Sequence, residues 1–486
     1  MKKFLTMLLA AIMLFSAISC GNDASNGNDI TSAEQTTATV TNPDDPTTSD
    51  DPTTPNGAAE FYAGYARVDI TPTFSVPIGS NMTTSVADKT YATVIALSDG
   101  ENKVLLITTD LRHSKGLILE KTRRVAEMNG VPRDNVILSA THNHSTITYD
   151  DGNSYENVRW RNIYYQAIEE GIEAALADLK PTTAEIGTAK TTGFAFVRRY
   201  IMEDGSFKGI HTNNPSTAYK EHETEADDTM QVIRFNREDA KDIVMVNWQA
   251  HPAHAVDMFP QMITSDFVHF FREGAEEKFD VHFAYYQGAC GNINLHSYVK
   301  GKQIYKNYMQ MGQALPDVLG EALENMTPVE LGTIKAERAD FDATVNHSED
   351  HLYNIALEVY KESNVTKQKE LIKKYGFQSK YEASSIITRH NYGETETFSL
   401  SAISFGDLAF ASTPYEMFDT NGMQVKEGSP FKMTFMCSCS NGSWSYIAAD
   451  HAYENGGYEV YNCKFVRGTG EAVVDELLKM LNKQYE

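Results

Sequence analysis

The chain is short of positive charge. Forty-two Lys and Arg stand against 66 Asp and Glu in 486 residues, a formal net charge of −24, and binding a phosphate backbone requires concentrated cationic side chains. Nucleic acid is therefore not expected as a partner. Long apolar runs are missing too: the run from Phe4 to Phe15 falls below the roughly 20 residues that a membrane-spanning helix needs. Cysteine is scarce, with Cys290, Cys437, Cys439 and Cys463 the only ones beyond Cys20. An exported compartment permits disulfides, and Cys439 with Cys463 is a possible pair, although spacing alone does not fix connectivity. No second cluster at zinc-ligand spacing accompanies Cys437-x-Cys439, so these read as structural or unpaired thiols. No sustained repeat is present, which excludes a solenoid.

Other features are plentiful. Hydrophobic residues make up 41% of the chain and aromatics 10%, with 25 Tyr and 23 Phe, far too apolar for a disordered protein. The first twenty residues have a basic start (Lys2, Lys3), the short apolar run, and Ser16-Ala17-Ile18-Ser19-Cys20, the pattern of an export signal. Small residues before a Cys resemble a bacterial lipoprotein signal, with Ala17 where Leu is more usual. That implies a lipid anchor on Cys20 and a place in the bacterial cell envelope; the alternative is an ordinary cleaved signal with an incidental Cys. Residues 21–60 are rich in Thr, Asp, Asn, Ser and Pro, with Asp-Asp-Pro-Thr-Thr at 44–48 and 50–54. Such a stretch cannot bury enough surface to offset its ordering entropy and reads as a disordered linker. Residues 61–486 remain as one large body, which still carries 40 basic against 58 acidic side chains, a net −18.

Within that body, 90–97 and 103–109 read as strands joined at Asp99-Gly100, and 400–405 with 408–412 as a second hairpin around Gly406-Asp407. Val136–Ala140 and Ile243–Trp248 are short buried strands, each running into a histidine-bearing loop. Helical periodicity marks 115–128, 157–179, 304–324, 350–374 and 470–483. The alternation predicts an α/β fold, a large body of mixed β-sheets flanked by helices.

Four segments carry chemistry. Ala140-Thr141-His142-Asn143-His144-Ser145 places two imidazoles at i and i+2, which in extended chain point to one side. Asn247-Trp248-Gln249-Ala250-His251-Pro252-Ala253-His254 repeats the arrangement of a strand emptying into a histidine-bearing turn. Recurrence counts for more than either copy, because sites are commonly built from loops at strand ends. Ala411-Ser412-Thr413-Pro414-Tyr415-Glu416 ends in a carboxylate that would ordinarily be an exposed helix-start acid. Residues 441–459 crowd Tyr446, Tyr453 and Tyr458, which composition alone cannot separate from packed aromatics. Elsewhere His254, His269 and His296 read as surface or satisfied core histidines, and Asp110 as a supporting carboxylate or a turn cap.

Taken together, these motifs resemble the neutral/alkaline, non-lysosomal ceramidases. Ala66-Arg67-Val68-Asp69-Ile70-Thr71-Pro72 is similar to that family's opening motif. Thr141 to Ser145 resembles its Thr-His-Thr-His-Ser, Asn247 to Pro252 its second metal-histidine segment, and Pro414-Tyr415-Glu416 its Pro-Gly-Glu. Tyr446, Tyr453 and Tyr458 fall at the family's tyrosine spacing. The resemblance implies a metal-dependent amidohydrolase with zinc held by His142, His251, Glu416 and Tyr446. His144, Arg198 and Tyr458 would line the reacting centre, and a neutral ceramide-like lipid would be cleaved at its amide bond. Asn294 stands where the family has a serine assigned as nucleophile or close participant, and Asn cannot serve as an activated alkoxide. Either metal-activated water attacks directly, or the site is altered and the protein only binds lipid. Hydrolysis of other N-acyl amides or esters is the further alternative. The chain stops soon after the tyrosine segment, so the family's C-terminal immunoglobulin-like domain is expected to be absent.

Overall fold

Local signals set the main elements of the body. In the computed structural model, which describes residues 60–210, 218–442 and 445–486, the Asp99-Gly100 turn closes because the Asp99 carboxylate accepts the backbone N–H groups of Glu101 and Asn102 while Gly100 takes φ +90°. That turn joins β2 (Tyr91–Ser98) to β3 (Lys103–Thr109), preceded by β1 (Tyr62–Asp69). β4 (Val136–Ala140), β5 (Lys180–Lys190), β6 (Thr229–Arg237), β7 (Ile243–Trp248) and β8 (His282–Gln287) complete a mixed sheet in the order β8-β7-β6-β5-β1-β2-β3-β4, and Thr327–Val329 adds to β5 as the ninth strand. The β3–β4 and β7–β8 pairs are parallel, and the other pairings are antiparallel. A second sheet of four strands runs β9 (Ile334–Thr344), β10 (Thr395–Phe405), β11 (Leu408–Ser412) and β12 (Met433–Cys437), its last pair parallel. The export signal expected over residues 1–20 and nearly all of the linker expected over 21–60 lie outside the described residues.

The two sheets pack face to face. Ile95, Leu106, Ile233, Met245 and Tyr286 of the large sheet share one core with Ile403, Phe405, Phe410 and Phe435 of the small one. Outside the large sheet, α1 (Gly116–Met128) and α2 (Tyr155–Ala177) cover β1–β4, while α3 (Phe267–Phe279) and α4 (Tyr308–Leu323) cover β7 and β8. The last helix, Thr469–Tyr485, buries Val473, Val474, Leu477 and Leu481 against the outer face of the small sheet. The expected α/β class holds in four layers, helix–sheet–sheet–helix.

One predicted helix breaks. Residues 350–374 form a 3₁₀ turn followed by two helices, Tyr353–Lys361 and Val365–Tyr375, because Asn364 caps the second by accepting the N–H groups of Thr366 and Lys367. A further helix, Lys380–His390, lacked an obvious apolar stripe in sequence. It joins them through Ala383 and Ile386 in a small core of its own.

The strand directions place the site. β4, β7, β8, β11 and β12 end near one another, tied by bonds between loops. Ala140 N–H donates to the Cys439 carbonyl (3.2 Å), Ser438 N–H to Gln287 (3.0 Å) and Thr141 N–H to Thr109 (2.9 Å). Loops at the carboxyl ends of strands from both sheets therefore meet at one place.

Candidate metal centre

His142 follows β4 in left-handed backbone, φ +59°. The expectation that His142 and His144 share a side through extended alternation is thereby corrected. The turn at His142, rather than strand periodicity, brings the two rings to 5.0 Å edge to face. The loop is fixed from below: Asn143 N–H donates to the Leu111 carbonyl (3.0 Å), Asn143 Nδ2 to Thr264 (2.8 Å), and His144 N–H to Pro252 (2.8 Å). The last bond couples this loop to the second histidine segment. His251 lies 5.3 Å, ring to ring, from both His142 and His144. One ligating nitrogen from each of the three lies within 4.8 Å of the others. Three histidines on two strand ends could hold a metal ion.

Glu416 completes the enclosure. It is buried at 6% exposure, not the exposed helix-start acid that its sequence context suggested. A two-residue parallel ribbon pairs it in register with Tyr446. Its Oε1 is 3.3 Å from His142 Nε2, while His142 Nδ1 lies 3.0 Å from the Arg112 carbonyl and donates to it. With Nδ1 donating, Nε2 presents a lone pair to a carboxylate, and a cation or proton must stand between them. Metal–nitrogen and metal–oxygen bonds of about 2.0–2.2 Å at a tetrahedral angle span about 3.4 Å, close to the observed separation. A ligand histidine donating its other N–H to a carbonyl is the usual supporting arrangement. His144 Nε2 and His251 Nδ1 are buried with no partner among the described residues, so each is available to a metal ion or to a substrate group.

Electrostatics keep two of the imidazoles and the carboxylate in ligating form. Burial above all, then surrounding cationic groups, hold His144 and His251 well below the ordinary histidine range, so both are neutral at pH 7. Burial pushes the Glu416 carboxyl up, but His142, Arg198 and His251 together outweigh it and bring it down to about 2. Burial, reinforced by Glu416, pushes the Tyr446 phenol well above its usual value, so it is a neutral phenol here.

Arg198 stands on the far side of Tyr446. Its Nη2 donates to Tyr446 Oη (3.1 Å) and to the Gly291 carbonyl (2.8 Å), and its Nε to Glu459 Oε1 (2.8 Å). The Tyr458 ring lies 5.8 Å from Tyr446 and 5.9 Å from the Arg198 guanidinium, and the two phenols share a hydrogen bond. All seven residues named from the sequence thus gather in one region. Tyr453 does not: its hydroxyl is turned to Cys463 Sγ (3.4 Å) and the Phe465 carbonyl (3.2 Å).

Sequence reasoning missed the supports. Glu459, 0% exposed, bridges Arg198 and Arg199, and Arg199 also pairs with Glu223. Arg-Arg at 198–199 facing Tyr-Glu at 458–459 was the available signal, but nothing in sequence says that they meet. Of its two readings, supporting carboxylate or turn cap, Asp110 is the supporting carboxylate. It accepts two bonds from Arg272 Nη2 (2.7 and 2.9 Å) and one from Tyr91 N–H, at the base of the histidine loop. Asn294 Oδ1 accepts its neighbour Leu295 N–H (2.9 Å). The cysteines at 290, 437, 439 and 463 are all free. The possible Cys439–Cys463 pair is absent because Cys439 lies against Cys290 and 3.6 Å from His142 Nδ1, whereas Cys463 faces Tyr453.

No family model matches the chain. Among solved structures it is similar to neutral ceramidase from Pseudomonas aeruginosa, with a TM-score of 0.63 and 16% identity over 88% of this chain and 75% of that one. It is also similar to a ceramidase complexed with C2, with a TM-score of 0.65 and 14% identity over 87% of this chain and 75% of that one. At these identities the likeness is one of architecture: the chain has the neutral ceramidase fold, as its motifs led one to expect, around a three-histidine cluster able to hold a metal ion.

Proposed function

We propose that residues 61–486 form a zinc-dependent hydrolase of a lipid N-acyl amide, ceramide being cleaved to a fatty acid and a sphingoid base. The observation that carries this reading is the Glu416 carboxylate 3.3 Å from a histidine nitrogen whose other nitrogen is already donating, beside two unpartnered buried imidazoles. The fold shared with ceramidases supports the choice of substrate class. His142, His251, Glu416 and Tyr446 would hold the ion. Bound zinc polarises a carbonyl and lowers the pKa of water from about 15.7 to about 7.

The chain's own groups supply the rest. His144, whose buried Nε2 has no partner, would relay a proton to the leaving amine, its low basicity in the folded protein favouring transfer onward over retention. Arg198 and Tyr458 would donate to an oxyanion. Arg198 is held in position by Glu459, so little reorganisation is needed as charge develops. Asn294 supplies no nucleophile, so the reading relies on activated water; a lipid-binding protein without turnover is the second reading that this residue favours. The same reading makes Cys20 a lipid anchor in the bacterial envelope. Hydrolysis of a fluorescent short-chain ceramide with and without chelator tests the proposal. It expects chelator-sensitive turnover in the wild type, and loss of both turnover and zinc in His142→Ala and Glu416→Ala. Full turnover and zinc content in both variants would contradict it.

A further inference from the structure

Outside the metal centre, a serine and a histidine face each other in the geometry of an activated nucleophile. His222 ends the short strand Tyr219–His222, which pairs antiparallel with Arg199–Met202. The residue is 8% exposed, and its ring packs on Phe196, stacked at 5.6 Å, and on Tyr200 at 5.0 Å. His222 Nδ1 lies 2.5 Å from the Val197 carbonyl, and a carbonyl only accepts, so the ring proton sits on Nδ1. Nε2 then carries a lone pair, and Ser297 Oγ, 2.8 Å away, donates to it. Val299 N–H donates to the same Oγ at 3.0 Å, which fixes the hydroxyl from its acceptor side and leaves its hydrogen to the imidazole. Strand pairing builds the arrangement: Ile293 and Asn294 pair with Val197 and Phe196, bringing the loop that carries Ser297 beside the carbonyl that orients the ring. Burial outweighs the bond to the Val197 carbonyl and holds His222 below the ordinary histidine pKa, so the ring is neutral at pH 7 and able to accept a proton. Further along, Gly301, Lys302 and Ile304 of the same loop join Phe196, Val197 and His222 in walling a cavity of about 480 Å³, a size that suits a small ligand. Among the described residues neither side chain bonds to His142, His251, Glu416 or Tyr446.

We propose that Ser297 and His222 form a second acyl-transfer site, independent of metal, that takes activated esters of short apolar acyl chains. A serine hydroxyl is a weak nucleophile until an adjacent base takes its proton, and the base serves when a third group fixes its tautomer and direction; the Val197 carbonyl is that group here. Ser297 Oγ attacks the ester carbonyl as its proton passes to His222 Nε2. The carbonyl carbon–oxygen bond to the leaving alcohol breaks, the alcohol oxygen takes the proton from His222, and an acyl-serine remains. Water then attacks with His222 again as base, releasing the carboxylic acid and restoring the serine. Phe196, Val197 and Ile304 give the acyl chain an apolar wall. Among the described residues no cationic side chain bonds to Ser297 to steady an oxyanion, which restricts the site to esters with good leaving groups rather than amides. The proposal does not depend on the amide-hydrolase reading of the metal centre.

The test exposes the full-length protein to an alkyl fluorophosphonate, which traps an activated serine as a stable phosphonyl ester with loss of fluoride. Peptide mass spectrometry should find the phosphonyl group on Ser297. Ser297→Ala should lose that adduct, and His222→Gln should form it about 10²–10⁴-fold more slowly, the worth of one general base. Hydrolysis of p-nitrophenyl butyrate with chelator present should exceed the uncatalysed rate in wild type and fall to it in Ser297→Ala. A wild-type protein with no adduct on Ser297, or with adducts only on other residues, overturns the proposal and leaves the Ser297–His222 bond as a tie between loop and strand. So does an unchanged labelling rate in His222→Gln, or unchanged ester hydrolysis in Ser297→Ala. The wild-type adduct is read without any variant, so that result stands even where a substitution prevents folding.

Discussion

Removing the Glu459 carboxylate should be felt in both stability and rate. Its two oxygens receive Arg198 Nε (2.8 Å) and Arg199 Nη1 (3.3 Å), and all three side chains are buried. Arg199 keeps Glu223 and the carbonyls of Gly456 and Ala452, so the loss falls on Arg198, left with one carbonyl and the Tyr446 hydroxyl. Breaking a buried pair by deleting one partner costs about 3–5 kcal/mol. With an unfolding entropy of about 2.1 cal/mol/K per residue, the body changes by about 0.9 kcal/mol per kelvin, so Glu459→Ala should melt about 3–6 °C below wild type. A released Arg198 no longer points at the developing charge, and kcat should fall by about 10²–10³, the loss typical of one oxyanion donor. Scanning calorimetry and short-chain ceramide turnover measure the two effects. A melting point within about 1 °C of wild type would show that Glu459 does not hold the buried arginines, and an unchanged kcat that Arg198 does not act on the developing charge.

Three other outcomes are expected. Metal-free protein should lose stability as pH falls below about 6.5, because His144 and His251 have depressed folded-state pKa values and take up protons only on unfolding; each adds about 1.4 kcal/mol per pH unit. Urea melts between pH 5 and 8 would show a flat profile if the imidazoles were not held neutral. Gly291→Ala should lose zinc and activity together, since a Cβ there would sit 2.5 Å from the Glu416 carbonyl and displace that strand end; normal zinc stoichiometry would contradict this. Cys20→Ala should abolish fatty-acid labelling and release the protein from the membrane fraction, and persistent labelling would sink the anchor.

Much of the site was legible because its residues follow strands. His142, His251 and Glu416 each trail a short apolar run, and such runs are recognisable without knowing their partners. What joined them was not legible. The αL turn at His142, the Glu416–Tyr446 ribbon and the Glu459 bridge all depend on contacts far apart in sequence. Periodicity likewise found the sheet hairpins and the outer helices. It ran 350–374 together because an Asn cap interrupts a pattern that is otherwise continuous. The Cys439–Cys463 suggestion failed for the same kind of reason, proximity in sequence being no measure of proximity across the small sheet.

The most direct measurement is ceramide turnover of chelator-treated protein as zinc is added back. Activity should be lost on chelation and return fully at one equivalent of zinc, with no return in His142→Ala. Turnover that survives complete metal removal, or a zinc-replete protein that cleaves no N-acyl amide, would contradict it.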